Sequence, residues 1–297
     1  MNASPARPLV VCFGEMLWDF LPGGTFPGGA PFNVGYHLHG HDLAVHVASA
    51  VGRDELGNEL LRRLQVWGLG TSGVAVHPDL PTGSVRARLS AGGDAHYDIA
   101  TDVAWDRIPA TGSLEAATRA AALVFGSLAQ RTPFNRSSLE QLLAALPPTA
   151  LRVFDVNFRP PHDDLPLIRR LATQATLLKL NDGEAARLCA ENPAASDVAS
   201  HARILAAETG CARVVITAAA RGAGLLGRDG RWHWEPGRPV AVADTVGAGD
   251  AFLAALLSGL LRGRDDAAAL AHACRVGEWV ATQRGATPDY AAGAPAP

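Results

Sequence analysis

The feature that most constrains the fold is a regular alternation of continuously apolar segments with segments of helical periodicity. Strands are predicted at 9–14, 42–52, 121–128, 151–158, 175–181 and 212–218. Helices are predicted at 31–40, 54–68, about 137–146, 163–174 and 182–208. Apolar strands that alternate with helices form a mainly parallel sheet whose two faces are both covered. The sequence therefore predicts an α/β fold, in which ligands bind at the carboxyl ends of the strands.

One region departs from this alternation. In TGSVRARLSAGGDAHYDIATDVAW, residues 82–105, polar and apolar residues alternate around AGGD, which predicts a β-hairpin with one exposed face. We expect this hairpin to belong to a small β-sheet lid, inserted from about 16–30 and 80–105. Residues 1–297 are otherwise expected to form a single α/β domain, because 48% hydrophobic residues are enough for a large core.

Composition excludes several classes of partner. A net charge of −3 provides no basic surface for nucleic acid, and no apolar run is long enough to span a membrane. The start of the chain, MNASPARPLVVCFG, lacks the apolar core of a signal peptide. The four cysteines are scattered without a CxxC pair, which is typical of reduced, buried thiols. We therefore predict a cytoplasmic protein that binds neither nucleic acid nor membrane.

A glycine pattern resembling a dinucleotide fingerprint has a simpler explanation. RGAGLLGRDGRW places Gly222, Gly224 and Gly227 at GxGxxG spacing after a strand. A fingerprint of this kind must open a helix, whereas Asp229-Gly230 here favours a tight turn. The segment is therefore predicted to be a β-hairpin.

Two further patterns are also weak. A Walker A loop needs GK followed by Ser or Thr, but the only lysine of the chain, Lys179, is followed by Leu180. His37 and His41 share one face of a predicted helix, which could indicate a metal site. The simpler interpretation is a helix that ends at Gly40, with histidines favoured by the negative end of its dipole.

The stretch DTVGAGDAF, residues 244–252, precedes the apolar segment AFLAALLSGLL, which predicts a buried helix. Unpaired N–H groups and the positive dipole end favour an anion at the start of such a helix. Gly247 and Gly249 would let a phosphate approach the main-chain N–H groups of residues 246–250. Asp250 is either a residue favoured by the helix dipole or a base beside the bound anion.

Five segments together resemble a known family. DTVGAGDAF is similar to the C-terminal signature of the ribokinase-like (PfkB) sugar kinases, and GGAPFNVG at 28–35 to their substrate motif. CFGEMLWDFLP, DVNFRP and NDGE resemble, in family order, the first strand with its sugar loop, the DxNxR segment and the NxxE motif. Ala30-Pro31 favours the fructokinase branch over the ribokinase branch, which usually has Lys within the substrate motif. The resemblance implies a Rossmann-like, ribokinase-like fold with a small β-sheet lid.

The resemblance also implies an acceptor side of the site. Asp250 would take the proton of a sugar hydroxyl, and the backbone of Gly247, Ala248 and Gly249 would hold the transferring phosphoryl group. The residues that would contact the sugar are Asp19, Gly28, Gly29, Asn33, Tyr97 and Arg159. Asp19 could instead be a solvated loop acid. Arg159, which strand alternation would place on the same face as Asp155 and Asn157, could instead form a salt bridge with Asp155.

A nucleotide side follows in the same way, with ATP and Mg²⁺ as cofactors. The residues that would contact the nucleotide are Asn181, Glu184, Thr217, Gly222 and Gly249. Glu184 would act on Mg²⁺ through water, although Asn181 and Glu184 could equally cap a helix. A monovalent cation such as K⁺ could bind beside Asp244. The chain departs from its relatives at Ala219, where they usually have Gly.

The predicted function is that of a fructokinase, which transfers the γ-phosphoryl group of ATP to D-fructose. Other acceptors stay open: ribose, a sugar acid met by Arg86, Arg88 and Arg159, or a nucleoside stacked on Tyr97 and Trp105. A sugar-sensing protein without catalysis is a third reading, although such a protein would not need Asp250. A homodimer formed through the lid also stays open.

Overall fold

A computed structural model describes residues 7–21, 24–89 and 95–295, with the backbone alone at 87–89, 95–97 and 292. Its strands are β1 Leu9–Phe13, β2 Leu17–Leu21, β3 Gly24–Gly28, β4 Ala44–Gly52, β5 Val74–His77, β6 Gly83–Leu89, β7 Ala95–Ile99, β8 Ala122–Gly126, β9 Leu151–Asp155, β10 Leu177–Asn181, β11 Arg213–Thr217, β12 Gly222–Leu226 and β13 Trp232–Pro236. Its helices are α1 Ala30–Gly40, α2 Glu55–Val66, α3 Leu114–Arg119, α4 Pro133–Ala145, α5 Leu165–Ala172, α6 Asp182–Leu188, α7 Val198–Thr209, α8 Ala248–Leu261 and α9 Asp266–Ala281.

The strands form two sheets. The large sheet has nine strands in the order β13-β12-β11-β10-β9-β8-β1-β4-β5, and those from β11 to β5 are parallel. The small sheet has the order β3-β2-β6-β7. The predicted α/β fold with a mainly parallel sheet and a small second sheet is confirmed.

The large sheet separates two cores. Along β1, Val11 and Phe13 point into one core, while Val10 and Cys12 point into the other. The first core also contains buried side chains of α4, α5 and α7, and the second those of α1, α8 and α9. This two-sided burial is the physical reason why the strands are apolar at successive positions.

Most predicted elements are present, with one clear exception. The segment at 182–208 is not one helix: α6 ends at Leu188, and α7 begins at Val198 after a separate N-cap, Asp197, which accepts from the Ser200 N–H. A second N-cap with its own bonded side chain marks a new helix start, and this signal was available in the sequence. The hairpin at β12–β13 is confirmed as antiparallel.

Two expectations from composition can be compared with the structure. All four cysteines are free and buried, as predicted. Within the described part of the chain, the helices are too short or too polar to cross a bilayer.

Candidate active site

The candidate site lies where the parallel strands end. Asp155 ends β9, Asn181 ends β10 and Thr217 ends β11, while Glu15 follows β1. A Cβ atom added at Gly249 would lie 3.3 Å from Lys179 Nζ, so α8 begins at this same edge of the sheet. The topology thus brings together segments that are distant in sequence.

The anion turn, residues 244–250, has a fixed shape. Gly247 is the N-cap of α8 with a φ of 78°, and a Cβ atom there would lie 2.6 Å from Ala286 Cα. The Asp244 carboxylate fixes the turn through two hydrogen bonds: its Oδ1 accepts from Val246 N at 3.0 Å, and its Oδ2 accepts from Gly285 N at 3.1 Å. Only glycine fits at position 247, because both the backbone angle and the space exclude a side chain.

The donors of the anion turn are fewer than the predicted set of residues 246–250. Val246 N donates to Asp244, and Ala248 N donates to Thr245 O at 3.3 Å. The N–H groups of Gly247, Gly249 and Asp250 have no acceptor among the described residues. Three unpaired donors at a helix start are an arrangement that can bind an anion.

Asp250 contacts the other half of the site. Asn33 Nδ2, on the first turn of α1, donates to Asp250 Oδ2 at 2.8 Å across 217 positions of sequence. Burial, followed by the charge of Asp155, raises the pKa of Asp250 to about 6, although Lys179, Asn33 and Arg159 lower it. Asp250 is therefore ionised at neutral pH, with a pKa close enough to neutrality for a general base.

Glu15 is a site residue that was missed. Its Oε1 accepts from Ala30 N at 3.1 Å, whereas its Oε2 is buried without a partner among the described residues. Burial raises the pKa of Glu15 to about 7. Its position directly after β1, within the CFGEML segment, was the available signal, because residues that follow parallel strands line the ligand edge.

Asp19 of β2 lies in the same group of acids. Burial raises the pKa of Asp19 to about 6, while Arg159 lowers it and Asp250 raises it. A Cβ atom at Gly28 would lie 2.0 Å from Asp19 Oδ2, and one at Gly29 would lie 2.1 Å from Glu15 O. Glycine is thus required at positions 28 and 29 to make room for Asp19 and Glu15. This explains the two glycines more directly than the approach of a ligand does.

The salt bridge considered between Arg159 and Asp155 is absent. Asp155 pairs instead with Lys179, whose Nζ lies 2.9 Å from Oδ1 and 3.0 Å from Oδ2. Alternation fails because β9 ends at Asp155 and Asn157 has a φ of 44°. Arg159 is exposed and donates to Phe158 O at 3.0 Å, while its charge acts on the acids of the site.

On the nucleotide side, the capping alternative is realised. Asn181 accepts from Glu184 N at 2.8 Å, and Glu184 Oε2 accepts from Asn181 N at 2.8 Å. Glu184 Oε1 accepts from Phe158 N at 2.7 Å. Each carboxylate oxygen keeps a lone pair, so this geometry still allows Glu184 to bind a metal through water.

The remaining nucleotide candidates follow β11. Thr217 Oγ1 donates to Leu180 O at 3.4 Å. Gly222 is buried in the hairpin, where a Cβ atom would lie 2.0 Å from Glu235 O. Ala219 has a φ of 48°, which lies in the left-handed region. Glycine adopts this conformation without strain, whereas alanine does not.

Residues considered for other substrates are placed differently from expectation. Trp105 is 0% exposed and packs in the core, so its predicted role as a stacking wall is wrong. Arg86 is exposed and lies over the Phe20 ring at 4.6 Å. The side chains of Tyr97 and Arg88 lie outside the described residues.

His37 and His41 at the end of α1 are not the charged groups that a helix dipole would favour. His37 is fully buried, and burial lowers its pKa to about 4; its ring nitrogens bond to Tyr290 Oη and Ala286 O. Burial lowers the pKa of His41 to about 3. The helix ends at Gly40 as predicted, but burial keeps these two histidines neutral, so the helix dipole is not the reason for them. Among the described residues, no cluster of three His, Cys, Asp or Glu side chains could hold a metal.

Comparisons with known proteins add the family. Residues 23–292 match the model of the pfkB family carbohydrate kinases. The chain is 28% identical to the aminoimidazole riboside kinase of Salmonella typhimurium over 80% of this chain and 74% of that protein. It is 28% identical to fructokinase-2 of Oryza sativa subsp. japonica over 86% of this chain and 81% of that protein. Its fold resembles a Vibrio cholerae fructokinase solved with fructose, ADP and calcium, with a TM-score of 0.82, 22% identity, and coverage of 96% and 97%.

Proposed function

The chain belongs to the pfkB family of carbohydrate kinases, and from this premise we propose that it phosphorylates D-fructose with ATP. The observation that carries the proposal is the hydrogen bond between Asn33 and Asp250. It joins the substrate motif on α1 to the candidate base at the start of α8. A sugar hydroxyl held beside Asn33 would lie next to both the base and the anion turn.

The reaction that fits this geometry is a direct phosphoryl transfer. Asp250 takes the hydroxyl proton as the hydroxyl oxygen attacks the γ-phosphorus of ATP, and ADP leaves. The N–H groups of Gly247, Gly249 and Asp250 neutralise charge on the transferring group. Mg²⁺, when bound with the nucleotide, supplies further charge neutralisation, and Glu184 would hold it through water. A cation at Asp244 stays a prediction; as in Glu184, each carboxylate oxygen accepts one backbone N–H and keeps a lone pair.

The charges around the site support a neutral sugar over a sugar acid. The charge of Asp250 raises the pKa of both Glu15 and Asp19, and the guanidinium of Arg159 lowers the pKa of all three acids. A carboxylate substrate would therefore meet three acids whose charges Arg159 already partly offsets. A nucleoside acceptor stays the second candidate, because one relative is named an aminoimidazole riboside kinase.

The test is a panel of fructose, ribose, a 2-keto-3-deoxy sugar acid and nucleosides, assayed for ADP release with Mg·ATP. We expect fructose to give the highest kcat/KM. Asp250→Asn should lower kcat by roughly 10²–10⁴-fold while sugar binding persists, because only proton removal is lost. Asp197→Asn, which keeps a good N-cap on a helix with no residue assigned to the site, is the matched control and should leave kcat unchanged.

Three outcomes would contradict parts of this proposal. Equal turnover by Asp250→Asn would exclude Asp250 as the base. A higher kcat/KM for another acceptor would exclude fructose as the preferred sugar. Thermal stabilisation by a sugar without any ADP release would favour a sugar-sensing protein. A cytoplasmic location and a dimer formed through the lid stay predictions, which cell fractionation and sedimentation velocity would test.

A further inference from the structure

The ion pair of Lys179 and Asp155 lies under the candidate site. The two residues face each other on adjacent strands, β10 and β9, and their side chains are 8% and 3% exposed. Lys179 is the only lysine of the chain, whereas the other 25 of its 26 basic Lys and Arg residues are arginines. Both Asp155 oxygens lie within 3.0 Å of Nζ, so the ammonium is held at a fixed position.

Stability alone is a weak reason for this pair. Removing two charges from water costs several kcal/mol per ion, and apolar residues of similar volume are often as stable. Apolar residues fit around this side chain, since Leu177, on the same face of β10, and Val215, opposite Lys179 on β11, are both 0% exposed. A charge kept at this depth therefore calls for a role that an apolar side chain could not fill.

The position of the ammonium indicates that role. A Cβ atom at Gly249 would lie 3.3 Å from Nζ, so the missing side chain at Gly249 lets the lysine approach the anion turn. An ammonium has three N–H donors, and no acceptor other than Asp155 is bonded to it among the described residues. The positive charge therefore lies close to Gly249, one of the three residues whose N–H groups have no acceptor among the described residues.

Several charged groups face Asp250 from the elements around it. They are Glu15 after β1, Asp19 of β2, Asp155 of β9, Arg159 after β9 and Lys179 of β10. Within this set, Lys179 favours the ionised form of Asp250, and Asp155 disfavours it. The two members of the pair thus act on the base in opposite directions, so the effect of each can be tested separately.

We propose that Lys179, held by Asp155, is a positioning residue whose ammonium keeps Asp250 ionised and adds positive charge behind the anion turn. This inference rests on the proposed function, because it assigns Asp250 as the base. Lys179 acts through Asp250 and the backbone of Gly249. Asp155 sets the place of the ammonium and limits its effect.

The test is the acid limb of the kcat/KM profile against pH, where activity falls as Asp250 takes up a proton. Lys179→Met should move this limb to higher pH and Asp155→Asn to lower pH, each by about one unit, because one removes a positive and the other a negative neighbour. The double variant should return close to the wild-type limb. Lys179→Arg, which keeps the charge, should leave the limb in place.

A structural role predicts something else. Both single variants would then lose stability and activity together, with no opposite shifts of the limb. Arg213→Met is the matched control, because it breaks the Arg213–Asp266 pair at the amino end of β11 and should not move the limb. Limbs that stay in place, or that move in the same direction, would overturn the proposal.

A second measurement does not depend on turnover. Carboxyl-carbon NMR of protein labelled with ¹³C-aspartate, with Asp250→Asn to assign the resonance, reports the titration of Asp250 directly. If the titration of Asp250 shifts in opposite directions in Lys179→Met and Asp155→Asn but the protein phosphorylates none of the sugars, the role of Lys179 is supported and the proposed function is contradicted. If the protein is active but the titration of Asp250 does not shift, the proposed function is supported and the role of Lys179 is contradicted. If Lys179→Met does not fold, the downward shift expected for Asp155→Asn decides alone.

Discussion

The acceptor side and the nucleotide side of the candidate site are built in opposite ways. On the acceptor side, Glu15 Oε2 and Asn33 Oδ1 are buried without hydrogen-bond partners among the described residues, and Asp19 is an acid with a raised pKa. On the nucleotide side, Asn181 and Glu184 bond to each other's backbone N–H groups.

The two sides thus differ in whether their polar side chains already have hydrogen-bond partners within the protein. Unpaired buried polar atoms cost free energy unless a ligand completes them, so the unpaired atoms of Glu15 and Asn33 support the proposal that a sugar binds on the acceptor side. The caps on the nucleotide side are explained by helix formation alone. A hydrogen-bonding residue is thus a stronger candidate for ligand binding where the fold leaves it unsatisfied.

The largest effect is expected where the two sides meet, at the anion turn. Gly247→Ala should lower kcat by roughly 10²–10³-fold, because an added Cβ displaces the turn from Ala286 and misplaces its donors. Steady-state kinetics would measure this. Gly210→Ala is the control, with a φ of 74° but no atom within 4 Å of the added Cβ, and it should reduce only stability. A wild-type kcat for Gly247→Ala would remove the turn from catalysis.

On the acceptor side, replacing an acid should weaken sugar binding and raise the stability of the protein. Asp19→Asn should raise the KM for sugar by roughly 10–100-fold, since the amide replaces one acceptor of hydroxyl hydrogen bonds. The same variant should raise Tm at pH 8 by roughly 2–5 °C, because it removes a buried charge. Kinetics and thermal unfolding would check the two effects.

The sign of the pH dependence follows from the pKa of Asp19, raised from 3.8 to about 6 in the folded protein. Because folding favours the neutral form of the Asp19 carboxyl group, this group stabilises the folded protein fully below about pH 4. The stabilisation is lost as the pH rises through about 6. The gain in Tm for Asp19→Asn should therefore shrink as pH falls from 8 to 4. A gain that is constant with pH would contradict the burial of this charge.

The nucleotide side should lose stability first. Asn181→Ala and Asp197→Ala each remove an N-cap side chain, of α6 and α7, and each should cost about 1 kcal/mol of unfolding free energy. Only Asn181→Ala should also raise the KM for ATP, since α7 carries no residue assigned to the site. Identical kinetics for the two variants would reduce Asn181 to a helix cap and sharpen the contrast between the two sides.

The smallest effect concerns Ala219. Ala219→Gly should raise the unfolding free energy by about 0.5 kcal/mol, because relief of the left-handed backbone exceeds the entropy cost of glycine. Ala220→Gly, at the next position and without a positive φ, should lower it. Chemical denaturation would distinguish the two. A loss of stability in both would show that Ala219 is not strained.

Part of the site could be predicted from the local pattern, because its residues follow strands or start helices. Asp250 lies at a predicted helix start, whereas Asn33 and Glu184 were assigned through the resemblance of their segments to the family. Glu15 was missed although it follows β1. Lys179 could not have been found, because it lies inside an apolar strand and its relation to Gly249 exists only once β10 and α8 are packed together.

Errors arose where a local pattern continued past its real limit. The predicted alternation at 155–159 assumed a strand that in fact ends at Asp155. Asp155 therefore pairs with Lys179 instead of Arg159. Trp105 looked like an aromatic wall of the lid, but tertiary packing buries it completely.

The sequence by itself determined the alternation of strands and helices, the parallel sheet and the edge at which ligands bind, because these depend on short-range apolar periodicity. Only the tertiary structure decided which charges meet, which polar atoms stay unpaired and how far the pKa of each acid moves. Those properties depend on distances of a few ångströms between segments as distant as Asn33 and Asp250, and on the water that their packing excludes.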